Sequence, residues 1–314
     1  MPPSKIVEDE IKKPKRTQSN CGDIQSNARK RKVTIEVKDS LSNELKLAKI
    51  LMDKPAPHVT AQSWLVLDTS SRQILFGKME KERKEIASLT KIMTIYTCLK
   101  MIEKFRVSLA ELIEISPEAS QVQGTSAMLV EGDKLTVEQL LYGMMLPSGN
   151  DAAYALASYF GSLILLNEDE FSEDLDCTQW VMSINQIRGC LNPYTARLSQ
   201  FEDHDDIMCF LAEMNKNCLR LHLRSSFFDS PHGMANFNNK STAFDIAKLC
   251  SHCFAMPLFC QIVKTKFYVV LKSKSGNQRT YRWENTQKLL GEPGVSGIKT
   301  GITQSAGPCL ATSI

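Results

Sequence analysis

The stretch "EIASLTKIMTIYTCLKMIEKF" (85–105) places a serine and a lysine three residues apart at the head of an apolar-periodic run. On a helix, positions i and i+3 share a face, so Ser88 and Lys91 look the same way across the first turn. Two readings follow. In one, Ser88 caps a helix and Lys91 is solvated. In the other, Ser88 is a nucleophile and Lys91 is its base. A serine hydroxyl is a poor nucleophile near neutral pH and needs an adjacent base. A lysine can be that base only if desolvation or a second cation lowers its pKa. A helix N-terminus adds free N–H groups and a positive dipole end, both suited to a developing oxyanion. Alone the spacing says little, because Ser-x-x-Lys occurs roughly once by chance in a chain this long.

Two later stretches add to it. "LPSGNDAA" (146–153) offers Ser148 and Asn150 on a tight turn between two helices, a donor and acceptor pair held rigidly. "GIKTGIT" (297–303) offers Lys299, Thr300 and Gly301 on a predicted strand. A glycine there lets a ligand backbone approach the strand. It also leaves the next N–H, that of Ile302, free to bond an oxygen.

Around these motifs the pattern alternates between hairpins and helices. "QSWLVLDTSSRQILFGK" (62–78) reads as a β-hairpin turning at 68–73. "SPEAS" (116–120) opens with a serine cap and a proline at the first helical position. "TVEQLLYGMML" (136–146) has capping-box spacing at Thr136 and Gln139 and stops at Pro147. "DAAYALASYFGSLILL" (151–166) reads as a buried helix, "IMCFLAEMNKNCLRLHL" (207–223) as another, and "STAFDIAKLCSHCF" (241–254) as a capped one. "KFYVVLKSKSGNQRTYRW" (266–283) is a second hairpin, turning at 275–277, and 294–314 holds a strand and the start of another. A short helix is expected near 40–52.

The chain has 314 residues, 43% of them apolar, enough for a sizeable core. Its net charge of +3 gives no indication of nucleic acid, and no apolar run reaches membrane-spanning length. The 10 cysteines lack a framework spacing and read as reduced thiols. The first 55 residues read as a polar, basic, largely disordered tail without a secretory h-region, which makes a cytosolic start the default. Within it, Arg29-Lys30-Arg31-Lys32 is either a solvated basic run or an address. The domain proper is expected over 56–314, with an acidic insertion at about 167–206, "NEDEFSEDLD…FEDHDD". Cys250, His252, Cys253 and Cys260 could suggest zinc but read better as buried thiols on a helix. Asn239-Lys240-Ser241 is a glycosylation sequon, relevant only to a secreted chain.

In order, Ser88-x-x-Lys91, Ser148-Gly149-Asn150 and Lys299-Thr300-Gly301 resemble the motif triplet of penicillin-recognising serine enzymes. The flanking blocks narrow this. "IASLTKIMT" (86–94), "GTSAMLVEGDKLTVEQLLYGMMLPSGNDAAYALA" (124–157), "FFDSPHGM" (227–234), "STAFDIAKL" (241–249) and "PGVSGIKTGITQSAGPCLA" (293–311) are similar to the serine-type D-alanyl-D-alanine carboxypeptidases, the low-molecular-mass penicillin-binding proteins. The resemblance runs from about residue 60 to 314, broken by the acidic stretch. It implies a β-lactamase/transpeptidase-like α/β (α+β) sandwich: an antiparallel five-stranded sheet flanked by helices, beside an all-helical lobe carrying Ser148 and Asn150. It implies removal of the terminal D-alanine of peptidoglycan-type peptides through an acyl-enzyme, and acylation by β-lactams, with no cofactor or metal.

Carried over residue by residue, Ser88 is the nucleophile and Lys91 takes its proton. Ser148 relays a proton to the leaving amine. Asn150 holds Lys91 and the substrate amide. Lys299 supplies positive potential and keeps Lys91 neutral, Thr300 binds the substrate carboxylate, and the N–H groups of Ser88 and Ile302 form the oxyanion hole. His232, in a loop near the site, reads as structural.

The sequence departs from the family in three places. It stops 15 residues after Lys299, where the family continues into another strand and a C-terminal helix. A sheet lacking its last strand, with unpaired backbone on both sides of the gap, is therefore expected. The acidic insertion and the polar leader are the other two. Two alternatives stay beside the carboxypeptidase: a β-lactamase-like hydrolase, and a non-catalytic binding or scaffold relative on a truncated fold.

Overall fold

The computed structural model describes residues 58–167, 205–234, 238–274 and 277–314. The polar tail, the helix expected near 40–52 and nearly all of the acidic stretch lie outside these residues.

The first hairpin is as expected. β1 (Trp64–Leu67) pairs antiparallel with β2 (Ile74–Lys78). Asp68 closes the turn, its carboxylate accepting the Ser70 N–H at 2.9 Å and the Ser71 hydroxyl at 2.6 Å. The short β3 (Lys84–Glu85) leads into a single 3₁₀ turn, Ala87–Leu89, and then α1 (Thr90–Phe105). Ser88 thus sits in the turn before the helix rather than at its cap, and it makes no capping hydrogen bond.

Helix α1 is buried along most of its length, with Ile92, Met93, Ile95 and Cys98 fully enclosed. A helix buried on all sides must satisfy its polar residues internally. Thr90 donates to Ala87 O (2.9 Å), Thr94 to Pro231 O (2.6 Å), and Thr97 accepts from Asn217 Nδ2 (3.2 Å). The last two tie α1 to the 227–234 loop and to a later helix.

The helical part follows the caps read from sequence. β4 (Leu112–Glu114) pairs with β5 (Lys134–Thr136), and α2 (Pro117–Ser120) starts from Ser116, whose hydroxyl accepts the Ala119 N–H. α3 (Val137–Met145) begins with the Thr136–Gln139 capping box, with both bonds present. α4 (Asn150–Leu166) packs on α5 (Asp205–Arg220) and on α3, forming one continuous apolar core with α1. β6 (Lys240–Ser241) pairs with β3, and α6 (Ala243–Cys253) is capped by Thr242. α7 (Pro257–Lys264) precedes the second hairpin, β7 (Phe267–Lys274) with β8 (Asn277–Glu284). β9 (Ser296–Thr303) and β10 (Gly307–Ser313) end the order.

The sheet differs from the single five-stranded expectation. Among the described residues every ladder has two strands, and β1–β2 and β9–β10 share no partner. One smaller expectation changes, and the reading of Cys250 and Cys253 as buried thiols holds. Asn239 of the sequon is buried, its Nδ2 bonded to Thr90 Oγ1 at 2.6 Å, so it is no surface acceptor. Cys250 and Cys253 are enclosed thiols whose pKa values burial pushes up, Cys250 to about 12.

Candidate active site

The site forms where three separate pieces of chain meet: the turn leading into α1, the turn leading into α4, and β9. Lys91 is at its centre, with 0% exposure. Its Nζ lies 3.0 Å from Ser88 Oγ, 2.7 Å from Asn150 Oδ1 and 2.9 Å from His232 O. Asn150 is oriented for this contact, because its Nδ2 donates to Gln123 O at 2.7 Å and turns Oδ1 towards the lysine.

These partners fix what Lys91 can do. The Asn150 and His232 oxygens only accept, so they take two N–H bonds of the amine. A neutral amine then has one lone pair left, directed at the Ser88 hydroxyl. Electrostatics favour that neutral form. Burial lowers the Lys91 pKa well below its ordinary value, and the charge of Lys299 lowers it further, while Asp151 pulls weakly the other way. Lys299 is itself buried, and burial brings it down to about 7. His232 is held near 3 by burial and by Lys91, so its ring is neutral and adds no competing charge.

Ser148 is buried between Pro147 and Gly149 at φ +66°, a left-handed conformation unusual for a serine. Strain of this sort costs about 1–3 kcal/mol and persists only where neighbours hold it. The Thr125 hydroxyl does so, donating to Ser148 O at 2.5 Å. The Ser148 hydroxyl has no partner among the described residues, an uncommon state for a buried polar atom. Asp151, three residues on, anchors the facing loop: its carboxylate accepts the N–H groups of Ala127 (2.8 Å) and Leu129 (3.1 Å) and the Ser126 hydroxyl (2.6 Å).

β9 forms the opposite wall. A Cβ placed on Gly301 would lie 2.7 Å from Ser88 N, so only glycine lets the strand pass this close to the nucleophile turn. The chain's own backbone at Ser88 thus comes close to Gly301, the strand position expected to admit a ligand backbone. Ile302 follows, opposite Pro308 on β10, its side chain exposed. Lys299 Nζ turns back to Thr300 O at 2.8 Å, and the Thr300 hydroxyl meets that of Thr286 at 2.6 Å.

The geometry therefore brings Ser88, Lys91 and Asn150 into direct contact and sets Gly301 against them. Ser148 is joined through its backbone and Lys299 through its charge. Sequence reasoning missed Thr125, Asp151 and Thr286, and gave His232 no contact with Lys91. Asp151 had a signal, an acid in the first turn of a helix directly after the Ser-Gly-Asn turn. The His232 contact is made by a carbonyl, which no residue type announces.

A family model described as D-alanyl-D-alanine carboxypeptidase matches residues 51–164 and 207–314. The chain belongs to this family. The unmatched residues between the two segments fall on the acidic stretch. The D-alanyl-D-alanine carboxypeptidase of Streptomyces sp. strain K15 is 31% identical over 261 residues, covering 81% of this chain and 76% of that one. DacF of Bacillus subtilis is 25% identical, and this chain spans about half of its length (54%). Among solved structures, the Streptomyces K15 DD-transpeptidase has 30% identity and a TM-score of 0.64, covering 82% of this chain and 86% of that chain. The fold is thus that of the DD-peptidases. Francisella tularensis DacD, 22% identical with a TM-score of 0.63, shares it.

Proposed function

We propose that this chain is a serine-type D-Ala-D-Ala carboxypeptidase acylated by its peptide substrate and by β-lactams. The observation that carries the reading is the fully enclosed Lys91, with two N–H acceptors and the Ser88 hydroxyl as its third partner. Such a lysine gains nothing as a structural cation and suits a general base.

In this reading Ser88 Oγ attacks the carbonyl carbon between the last two D-alanines, and its proton passes to Lys91. The oxyanion faces the N–H groups of Ser88 and Ile302, and Gly301 keeps the two walls close enough for both to reach it. Collapse breaks the C–N bond. The departing D-alanine nitrogen takes a proton through Ser148, whose hydroxyl has no other partner among the described residues. Water then attacks the ester, giving the shortened peptide acid and free Ser88. Asn150 orients Lys91 and offers its amide to the substrate backbone. Lys299 and Thr300 face the terminal carboxylate, whose negative charge favours protonated Lys299.

The test is labelling with a fluorescent penicillin beside a Ser88→Ala control, followed by assay of D-alanine release from a D-Ala-D-Ala peptide. A covalent label lost in the control, with D-alanine released, is expected. A folded protein that takes no label is a scaffold relative. Rapid turnover of the β-lactam without D-alanine release points to a β-lactamase-like hydrolase.

A further inference from the structure

Gly149, at the middle of the Ser148–Asn150 turn, has no slack. Its N–H donates to Gly143 O at 3.1 Å. A Cβ placed on it would fall 2.7 Å from that oxygen and 2.8 Å from Ala127 Cβ. Gly143 belongs to α3 and Ala127 to the loop that Asp151 anchors, so the turn is gripped between a helix and a loop. Trp283, on β8, meets both halves of this grip. A Cβ on Gly143 would lie 3.1 Å from the Trp283 ring atoms Cζ2 and Cη2, and the indole Nε1 donates to Ala127 O at 2.8 Å. A buried indole needs an acceptor for its N–H, and this carbonyl is the one it takes.

The ring is itself held. Trp283 is buried and lies parallel to Tyr268, with centroids 6.3 Å apart, and Tyr268 stacks in turn on Tyr142 of α3 at 3.9 Å. The Tyr142 hydroxyl accepts from Gln261 Nε2 at 3.0 Å, and the Tyr281 hydroxyl bonds Asp133 on the far side of the stack. The grip acts on Ser148 more than on Asn150, which has anchors of its own: its N–H donates to Thr125 O and its Nδ2 to Gln123 O, each at 2.7 Å. Ser148 stands at φ +66° with its hydroxyl unpartnered among the described residues. A residue so strained keeps its conformation only where its surroundings over-determine it. The Thr125 hydroxyl fixes its carbonyl on one side, and the clamped Gly149 fixes it on the other.

We propose that Trp283 is a positioning residue for the Ser148 hydroxyl: by pressing on Gly143 and holding Ala127, it closes both on Gly149 and aims Ser148 Oγ at the departing nitrogen. The inference rests on the acyl-transfer reading and assigns it one further residue. It has a chemical consequence. An amide nitrogen does not leave as an anion, so breaking the C–N bond requires the proton that Ser148 passes on. A thiolate leaves without one: the C–S bond breaks, the sulfur carries the electron pair away, and the proton taken from Ser88 stays on Lys91. Loss of Trp283 should therefore be felt on an amide and hardly on a thioester.

The test uses the full chain and two substrates with the same acyl part: a D-Ala-D-Ala peptide, and its thioester in which a thiol replaces the amino group of the last D-alanine. Both form the same acyl-enzyme, so kcat/KM reports acylation alone for each. Trp283→Phe keeps a ring and drops the N–H, and Trp283→Leu drops both. On the amide, kcat/KM is expected to fall about tenfold in Trp283→Phe and about 10²-fold in Trp283→Leu, while on the thioester it falls less than about threefold in either. Circular dichroism and Tm verify the fold, and if Trp283→Leu does not fold, Trp283→Phe alone decides. Equal losses on the two substrates would make Trp283 a packing residue and overturn the proposal. So would an amide rate in Trp283→Phe equal to that of wild type. A wild type that cleaves neither substrate removes the acyl-transfer reading and this inference with it. A wild type that cleaves both, beside variants that lose both equally, removes this inference alone.

Discussion

Asn150 Oδ1 stands 2.7 Å from Lys91 Nζ, across 59 residues of sequence, with the carbonyl facing the amine because Nδ2 is held by Gln123 O. A carboxylate in that place would favour the ammonium form. Asn150→Asp is therefore expected to raise the Lys91 pKa and move the rising limb of the acylation rate to higher pH. On that limb the population of neutral amine falls tenfold for every pH step by which the pKa rises. Asn150→Ala removes the orienting bond without adding charge, so it should slow acylation with no comparable alkaline move. The measurement is the pH dependence of penicillin acylation for wild type and both variants. An unmoved limb in Asn150→Asp would remove Lys91 as the base.

Gly301→Ala tests the approach of β9 to the nucleophile turn. Its Cβ would fall 2.7 Å from Ser88 N and 3.1 Å from Ala87 Cβ. Neither neighbour can yield easily, since both belong to the turn that begins α1, and Ala87 is already in a left-handed conformation at φ +46°. The turn or the strand must shift. A displacement of this size at a reacting centre costs about 10²-fold. Acylation should fall by about that factor while thermal stability drops little. A variant that labels at the wild-type rate would show that the close approach has no part in catalysis.

The first two residues of the site were legible because helix geometry is local. Three residues of spacing place Ser88 and Lys91 together whether the turn is α or 3₁₀. The caps at Ser116, Thr136 and Thr242 were legible for the same reason. The contact from Asn150 and the contact from His232 O depend on where separate chain segments dock. They became expectations, for Asn150, only through the resemblance. Gly301 was recognised as a place of close approach, but the sequence does not say what approaches. Thr286 carried no signal: a threonine after a strand is ordinary, and its meaning comes from a strand that begins ten residues later.

That residue gives the third prediction. The Thr286 N–H donates to Leu146 O at 3.1 Å, just before the Pro147–Ser148 turn, and its hydroxyl meets Thr300 Oγ1 at 2.6 Å. It ties the wall bearing Thr300 to the wall bearing Ser148 and Asn150. Thr286→Val keeps shape and removes the hydroxyl, leaving Thr300 free to turn. We expect kcat/KM for a D-Ala-D-Ala peptide to fall about tenfold, and Thr286→Ser to restore most of it. A peptide with an amidated C-terminus separates orientation from packing, because it lacks the carboxylate that Thr300 faces. Equal losses on both peptides would make the hydroxyl pair merely structural.

Lys299 gives a prediction in the opposite direction, towards stability. Burial holds its pKa near 7, against 10.5 for a free lysine side chain. Between those values the unfolded chain binds a proton that the folded chain has released, so folding stability rises with pH across that window. Below about 7 the full cost of an enclosed ammonium is present, offset in part by its bond to Thr300 O. Lys299→Met removes the charge and keeps the stem. At pH 6–7 it should stabilise the fold by on the order of 2 kcal/mol, raising Tm by several degrees. The advantage should shrink as pH rises and vanish above about 10.5, where both forms of the chain carry neutral lysine. Penicillin labelling should be lost at the same time, since no positive charge then faces the carboxylate or helps keep Lys91 neutral. Calorimetry of both proteins across pH 6–10 measures this directly. A variant less stable than wild type at pH 6, or a difference that does not change with pH, would mean that Lys299 is not held against a desolvation cost.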